Sequence, residues 1–445
     1  MSPKRGTSTI KDRHDSDDQA PGKTEQIYFL SPFTMAFGVL AVGLLVPLSL
    51  GLFHKAQAKA TIDPKNLPAS AQIIDQKSFN VLQHVPPPRE ANATTRFLWP
   101  GVTYESLTER PFHVYDAEFL EIIGKYPTLT LLATSATDPI FHEAVVWNPR
   151  TEEVFFVQNA GDPAAGTGLA KSSVVQKISL ADAEALKNGS HTQSQINITI
   201  VDSKPQVINP NGGTNYKGQI IFAGEGQGEQ IPSALYLMNP EKPYNTTTLL
   251  NNYFGRQFNS INDVSVNSRN GDIYFTDTMY GYWQYFRPEP GLQNQVYRFD
   301  PETGAVTVVA DGFVSPNGLT FSPDGLHAYV TDTGISNGQF GQNYTRPASI
   351  YRFDVQKDGT WENRKTFAYT AARLPDGIHC DSKGNVYAGC GDGVHVWNRS
   401  GKLIGKIYTG INAANFQFAG KGRMVIMGRT KLFYATLAAS GAPLM

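Results

Sequence analysis

Charge and cysteine are both scarce in this chain. Only 17% of its 445 residues are charged and the formal net charge is −1. Nucleic-acid binding needs a basic face to neutralise phosphates, so that class is set aside. Cysteine is limited to Cys380 and Cys390. Two cysteines give no disulfide framework, and a chain of this length stands on its own hydrophobic core. They flank an expected hairpin, IHCDSKGNVYAGC, and read as free, buried thiols, with a bridge between them as the alternative. The glycine-rich run GEGQGEQ (224–230) lacks a βαβ setting and a nearby lysine, which sets a nucleotide loop aside.

One stretch lacks charge altogether. From Ile27 to Phe53 there is no charged residue, and FTMAFGVLAVGLLVPLSLGLF (33–53) is long enough to span a bilayer as a helix. The expected organisation is a polar cytosolic tail (1–30), a transmembrane signal anchor (31–53), a proline-containing stalk (54–100) and a large domain (101–445). Cleavage after Ala58 or Ala60 in KAQAKA, giving a secreted protein, is the alternative. Lysines on both sides of the apolar run leave the positive-inside rule undecided. Asn92, Asn188, Asn197, Asn245, Asn343 and Asn398 each begin an N-x-S/T acceptor, and all follow the run. They favour a single-pass type II protein with its large domain lumenal or extracellular.

What the chain has in quantity is Tyr (20), Phe (25) and Gly (41), which suits a β-rich fold with many tight turns. A phrase recurs through it. EAVVWNPRTEEVFFVQN starts at Glu143, NDVSVNSRNGDIYFTDT at Asn262, NGLTFSPDGLHAYVTDT at Asn317 and DGIHCDSKGNVYAGC at Asp376. Weaker copies start at Asn211 and Asn415. Each reads as polar residue, short strand, turn, second strand: a β-hairpin. Spacings run from 39 residues (376 to 415) to 68 (143 to 211), leaving room for two further strands per unit. NQVYRFD (294–300) with AVTVVAD (305–311), and SIYRFDV (349–355), are candidates. Four strands per unit, six times over, predict an all-β fold, a six-bladed β-propeller preceded by an N-terminal transmembrane helix. Closure into a ring also removes the sheet edges that an open solenoid would expose.

In a propeller the first strand of every blade lines the central channel. The opening residues Glu143, Asn211, Asn262, Asn317, Asp376 and Asn415 therefore converge on one axis. Two carboxylates with several amide oxygens are the hard donors that Ca²⁺ prefers, whereas the Cys and His ligands of structural zinc are missing. Turn capping by Asn and Asp is the competing role for any one of these positions. Asp277 and Asp332, in the two TDT phrases, fit that capping role better than chemistry.

HEAVVW, INDVSV…GDIYFTD, SPNGLTFSPDG and LPDGIHCDSKGNVYAG resemble the senescence-marker-protein-30/gluconolactonase family over roughly residues 75–440. The likeness is greatest to its fungal lactonohydrolase branch, through YGYWQYFRPEPGLQNQVYRFDPETG (280–304). The resemblance implies a six-bladed propeller with a central divalent cation, often Ca²⁺, and hydrolysis of a small-molecule lactone. It implies Glu143, Asn317 and Asp376 as metal ligands, Asn262 as a metal or substrate ligand, and Asp376 also as the catalytic base. Two positions depart from the family pattern. Glu143-Ala144-Val145 stands where the family has Glu-Gly-Pro, and Ser260 stands where animal members have an arginine.

Around this centre, Tyr280, Tyr282, Trp283 and Arg287 are candidate substrate contacts on an aromatic rim, with packing as their other role. His142 and His379 are candidates for packing or for proton transfer. A membrane-anchored, metal-dependent lactonase is the expected function. A non-catalytic binding propeller, or a related metal-dependent esterase or phosphotriesterase, is the alternative.

Overall fold

A computed structural model describes residues 62–88 and 97–445. The proposed tail and transmembrane anchor lie outside the described residues, as does the sequon at Asn92. Among the described residues, no helix is long and apolar enough to cross a membrane.

Among the described residues, six sheets follow one another along the chain, antiparallel apart from one outermost strand, each with its first blade strand innermost. Blade I is Glu143–Asn148, Glu153–Val157, Val175–Ser179 and Thr199–Ile200. Blade II is Pro210–Tyr216, Gln219–Gly224, Ala234–Met238 and Thr246–Leu250. Blade III is Ile261–Val266, Ile273–Asp277, Gln295–Phe299 and Val306–Ala310, and blade IV is Pro316–Phe321, His327–Asp332, Ser349–Val355 and Trp361–Tyr369. Blade V starts with Ile378–Cys380, Val386–Cys390, Gly393–Trp397 and Leu403–Tyr408; blade VI with Asn415–Phe418, Lys421–Met427 and Lys431–Ser440. The expected six-bladed propeller is what the chain forms, and the hairpins read from the repeats are the inner strand pairs of the blades.

The ring closes by exchange of strands between distant parts of the chain. The outer strand of blade VI is Thr128–Thr134, antiparallel to Lys431–Ser440 in a register that pairs Thr134 with Lys431 and Thr128 with Thr436. Blade V is also extended: Phe112–Val114 pairs with Leu403–Tyr408, and Ala71–Ile73 adds in parallel to Phe112–Val114. Part of the segment read as a stalk is therefore an outer edge of the propeller. Ile74, Trp99, Leu107 and Tyr408 form a buried cluster beneath it, which ties this segment down by apolar burial. The sequence showed no periodicity here because a three-residue strand is too short to display one.

Six larger apolar clusters each lie between neighbouring blades. The one between blades III and IV stacks Tyr274 on Trp361, with ring centroids 5.5 Å apart, and packs Phe321 edge-on against both. Inner strands consequently carry apolar residues on both faces; Pro316–Phe321 is buried along its whole length. Cys380 and Cys390 are both free and buried, and burial pushes both thiols above their ordinary range. Asn188, Asn197 and Asn245 are exposed, whereas Asn343 and Asn398 are half-buried in turns. Asn398 Nδ2 donates to the Glu118 carboxylate at 3.1 Å.

Closure makes a specific demand. Removal of residues 1–134 strips blade VI of its outer strand and uncovers the edge of Lys431–Ser440. Such a chain is expected to lose cooperative thermal unfolding by circular dichroism, whereas removal of residues 1–58 leaves the transition intact.

Candidate functional site

Blades I to IV share an irregularity at the mouth of the channel. Glu143 and Val146 pair with Val157 and Phe155, so two residues of the inner strand, Ala144 and Val145, oppose the single Phe156 of its neighbour. The same shift falls at Pro210/Gly213, Ile261/Val264 and Pro316/Leu319. These are β-bulges, which bend a strand and re-aim its side chains. In blade I the bulge includes Ala144 at φ 48°, and it presents both His142 and Glu143 to one cavity.

Residues after the ring positions complete the convergence. A Cβ on Gly212 would sit 2.4 Å from Asp263 Oδ1, and one on Gly318 would sit 2.3 Å from the carbonyl oxygen of Asp376. A Cβ on Gly377 would sit 2.4 Å from the Asn415 side chain. The N-G and D-G pairs of the repeats thus let each inner strand approach the next blade closely enough to crowd their side chains at the axis.

The result is a cavity of about 190 Å³ into which Glu143, Asn211, Asn262, Asn317 and Asp376 all face. Glu143 is 3% exposed and Asp376 is 9% exposed. Asn415 holds the sixth ring position, and its Nδ2 donates to Glu143 Oε2 at 2.5 Å. Asn211 Nδ2 donates to the Asn262 backbone carbonyl at 3.2 Å. Burial raises the Glu143 carboxyl far above its usual range, and the nearby Asp376 and Asp263 charges add to the shift. Burial likewise pushes Asp376 to about 6, with Arg373 and Arg429 pulling the other way.

Asn262 Oδ1 is buried here with no hydrogen-bond partner. A lone buried amide oxygen costs on the order of 1–3 kcal/mol unless something electropositive meets it. Together with the destabilised carboxylates it forms a hard-oxygen donor set suited to a divalent cation. Among the described residues, no cluster of three or more His, Cys, Asp or Glu is arranged to hold a metal. The ring instead offers two carboxylates beside amide oxygens.

Glu225 is a cavity residue that the repeat did not point to. It follows the second strand of blade II, within the glycine-rich run considered only for nucleotides. Ser260 Oγ donates to Glu225 Oε1 at 2.8 Å, and burial pushes this carboxyl to about 8. Its signal was Ser260 itself, the departure from the arginine of animal members.

The structure brings some rim candidates to the cavity and not others. Tyr280 lines it, with its hydroxyl bonded to Thr333 Oγ1 at 2.5 Å. Tyr282 instead packs against Phe340, and Trp283 is buried edge-on to Tyr280. Arg287 is 6% exposed, and its guanidinium donates to the backbone carbonyls of Gly228, Phe258, Asn259 and Ile231 and to Gln257 Oε1. Those bonds staple loops together and leave no donor free for a ring ligand.

His142 lines the cavity as a neutral imidazole, because burial and the cations Arg429 and Arg373 depress its pKa to about 3. His379 lies further down the channel, edge-on to Phe416, beside a cavity of about 90 Å³ whose walls include Ala442–Met445. Asp277 and Asp332 cap turns as expected. Asp277 accepts from the amides of Asn259 and Ser260, and Asp332 from those of Val314, Ser315 and Gly334.

Residues 142–427 match the SMP-30/gluconolactonase/LRE-like region, well over half of the chain and all six ring positions. The chain belongs to the SMP-30/gluconolactonase/LRE-like family. It is 28% identical over 352 residues to lactonohydrolase oryL of Aspergillus oryzae, covering 72% of each chain. It is 28% identical over 207 residues to a gluconolactonase of Zymomonas mobilis, covering 42% of this chain and 55% of that one. A solved gluconolactonase from Xanthomonas campestris has the same fold, with TM-score 0.57, 24% identity, and coverage of 74% of this chain and 94% of that one.

The close approaches predict a graded response to single methyl groups. Gly318→Ala and Gly377→Ala are expected to lower stability by ~1–3 kcal/mol, because the methyl collides with backbone or a ring side chain. Gly291→Ala, where nothing lies within 4 Å, is expected to leave thermal unfolding unchanged.

Proposed function

We propose that this protein is a metal-dependent lactonase acting at the axial ring. Glu143, Asn262, Asn317 and Asp376 are the residues that would hold the divalent cation, and their oxygen-only chemistry favours Ca²⁺. The observation carrying this reading is Asn262 Oδ1, buried without a partner beside Glu143 and Asp376, two carboxyls that burial pushes above their usual range. Family membership and lactone-hydrolysing relatives supply the reaction class.

When bound, the cation polarises the lactone carbonyl and stabilises charge developing on its oxygen. The rest is work for this chain's side chains. Asp376 accepts the proton of the attacking water as its oxygen bonds to the carbonyl carbon. The ring C–O bond then breaks, and the proton passes to the departing alkoxide, giving the open hydroxy acid. Asn262 and Tyr280 stand at the cavity wall to position the ring, and the buried setting keeps bulk water from competing for these contacts. A membrane-tethered, lumenal or extracellular location fits the apolar stretch at 31–53 and the exposed sequons Asn188, Asn197 and Asn245. An endoglycosidase that leaves the mass of the cell-derived protein unchanged would remove the support drawn from the sequons.

Two readouts test the reaction. Ca²⁺ at a hundred times its dissociation constant is expected to stabilise the fold by ~2.7 kcal/mol, seen as a higher unfolding temperature. Glu143→Gln should remove most of that increment. Hydrolysis of aldono- and pantoyl-type lactones should be abolished by chelator, restored by Ca²⁺ and reduced at least ~100-fold by Asp376→Asn. Metal-induced stabilisation with no turnover would favour a binding propeller or an enzyme for other esters.

A further inference from the structure

A second, larger chamber adjoins the axial cavity. It measures about 750 Å³ and its lining is predominantly apolar, contributed by Phe79, Phe97, Trp99, Leu107 and Tyr408 among others. One wall is the N-terminal extension, the other the loops of blades V and VI. Asp392 and Lys406 also reach it, but they pair with each other at 3.2 Å, and His395 Nε2 lies 2.6 Å from the same carboxylate. Their charges are mutually satisfied within the wall; Lys431, Arg373 and Arg429 also line the chamber, whose surface is nonetheless mostly apolar.

Arg373, Asn412 and Arg429 line both the chamber and the axial cavity, so these three side chains form the partition between them. That partition is loosely fastened. Asn412 is 9% exposed, yet its Oδ1 is buried without a hydrogen-bond partner, and Arg373 Nε is likewise buried and unpartnered. Arg429 alone is anchored, to Asp162 at 2.9 Å. No hydrogen bond holds either of these atoms in place, so the partition between the two cavities can be parted at Arg373 and Asn412.

We propose that the chamber receives a hydrocarbon arm of the substrate: a lactone whose ring occupies the axial cavity and whose alkyl or aryl substituent crosses at Arg373 and Asn412. This deepens the lactonase reading and rests on it for the reaction, though not for occupancy of the chamber. A small polar aldonolactone would fill the axial cavity alone and leave the apolar walls facing water. The walls at Phe79, Phe97, Trp99 and Leu107 lie outside the family-matched region 142–427, so this selectivity is built by the chain's own N-terminal extension.

The test compares γ-butyrolactone with a γ-lactone bearing a heptyl chain, using the full chain with Ca²⁺. Each buried methylene is worth about fourfold in affinity, so KM for the heptyl lactone is expected to be lower by about a hundredfold or more. Leu403→Trp, which fills the chamber from blade V, should shrink that ratio below about tenfold and leave γ-butyrolactone turnover unchanged. Phe79→Ala, which only removes wall, should raise the heptyl KM alone and serves if the tryptophan variant does not fold. Equal KM values for the two lactones, or a ratio that neither variant alters, would overturn the chamber assignment while leaving the lactonase reading in place. If neither lactone is hydrolysed, binding of 2-heptylcyclopentanone, which has no ester bond, decides by titration calorimetry. Saturable binding lost in Leu403→Trp supports the chamber and condemns only the reaction; no binding overturns the chamber as well.

Discussion

The whole site depends on how closely six strands can approach one axis. A β-strand ordinarily keeps its neighbours apart by the width of its side chains, and six blades arranged radially would leave an open, wet channel. Gly212, Gly318 and Gly377 remove that spacing where a Cβ would strike the next blade. The price is electrostatic: Glu143, Asp263 and Asp376 are forced within range of one another, away from water. Asn415 relieves part of it by donating to Glu143, and Arg373 and Arg429 relieve part at Asp376. The amide oxygen of Asn262 receives no such relief. A cation at the axis would answer the remaining repulsion and the orphaned oxygen together, which is why the geometry of the fold and the chemistry of the ring point the same way.

Fixing these strand starts requires rigid ends. Asp277 and Asp332 hold the loops leading into the inner strands of their own blades through backbone amides, despite burial that raises both carboxyls. Arg287 does related work from the other side, gathering carbonyls of two separate loops. Its charge made it look like a substrate contact in the sequence. In the folded chain it is a loop staple, and the polar atoms left without a partner at the cavity include Asn262 Oδ1 and His142 Nδ1.

How much of this could be read from residue order varies by feature. The hairpin phrases revealed six blades because strand alternation and Gly-rich turns are local signals. The ring residues followed, since equivalent positions of a propeller face one axis. The bulges did not follow: strict alternation would turn His142 away from the cavity that Glu143 beside it faces, yet both face it. Glu225 was also hidden, because its partner Ser260 is 35 residues away and only the fold brings them together. The extension of blade V was least legible, since three-residue strands flanked by irregular chain carry no period.

That extension has a consequence beyond closure. A four-stranded blade V would present Leu403–Tyr408 as an open edge, and the space beside Arg373 and Asn412 would be solvent. Phe112–Val114 and Ala71–Ile73 occupy the edge instead, and the chain that connects them carries Trp99 and Leu107 into place above Tyr408. Covering an edge and walling a chamber are thus a single structural act. It sets the apolar cavity at a fixed distance from the ring, on the same rigid blade that delivers Asp376. Selectivity for what enters can therefore change with the sequence of the extension while the inner strands, constrained by crowding at the axis, stay as they are.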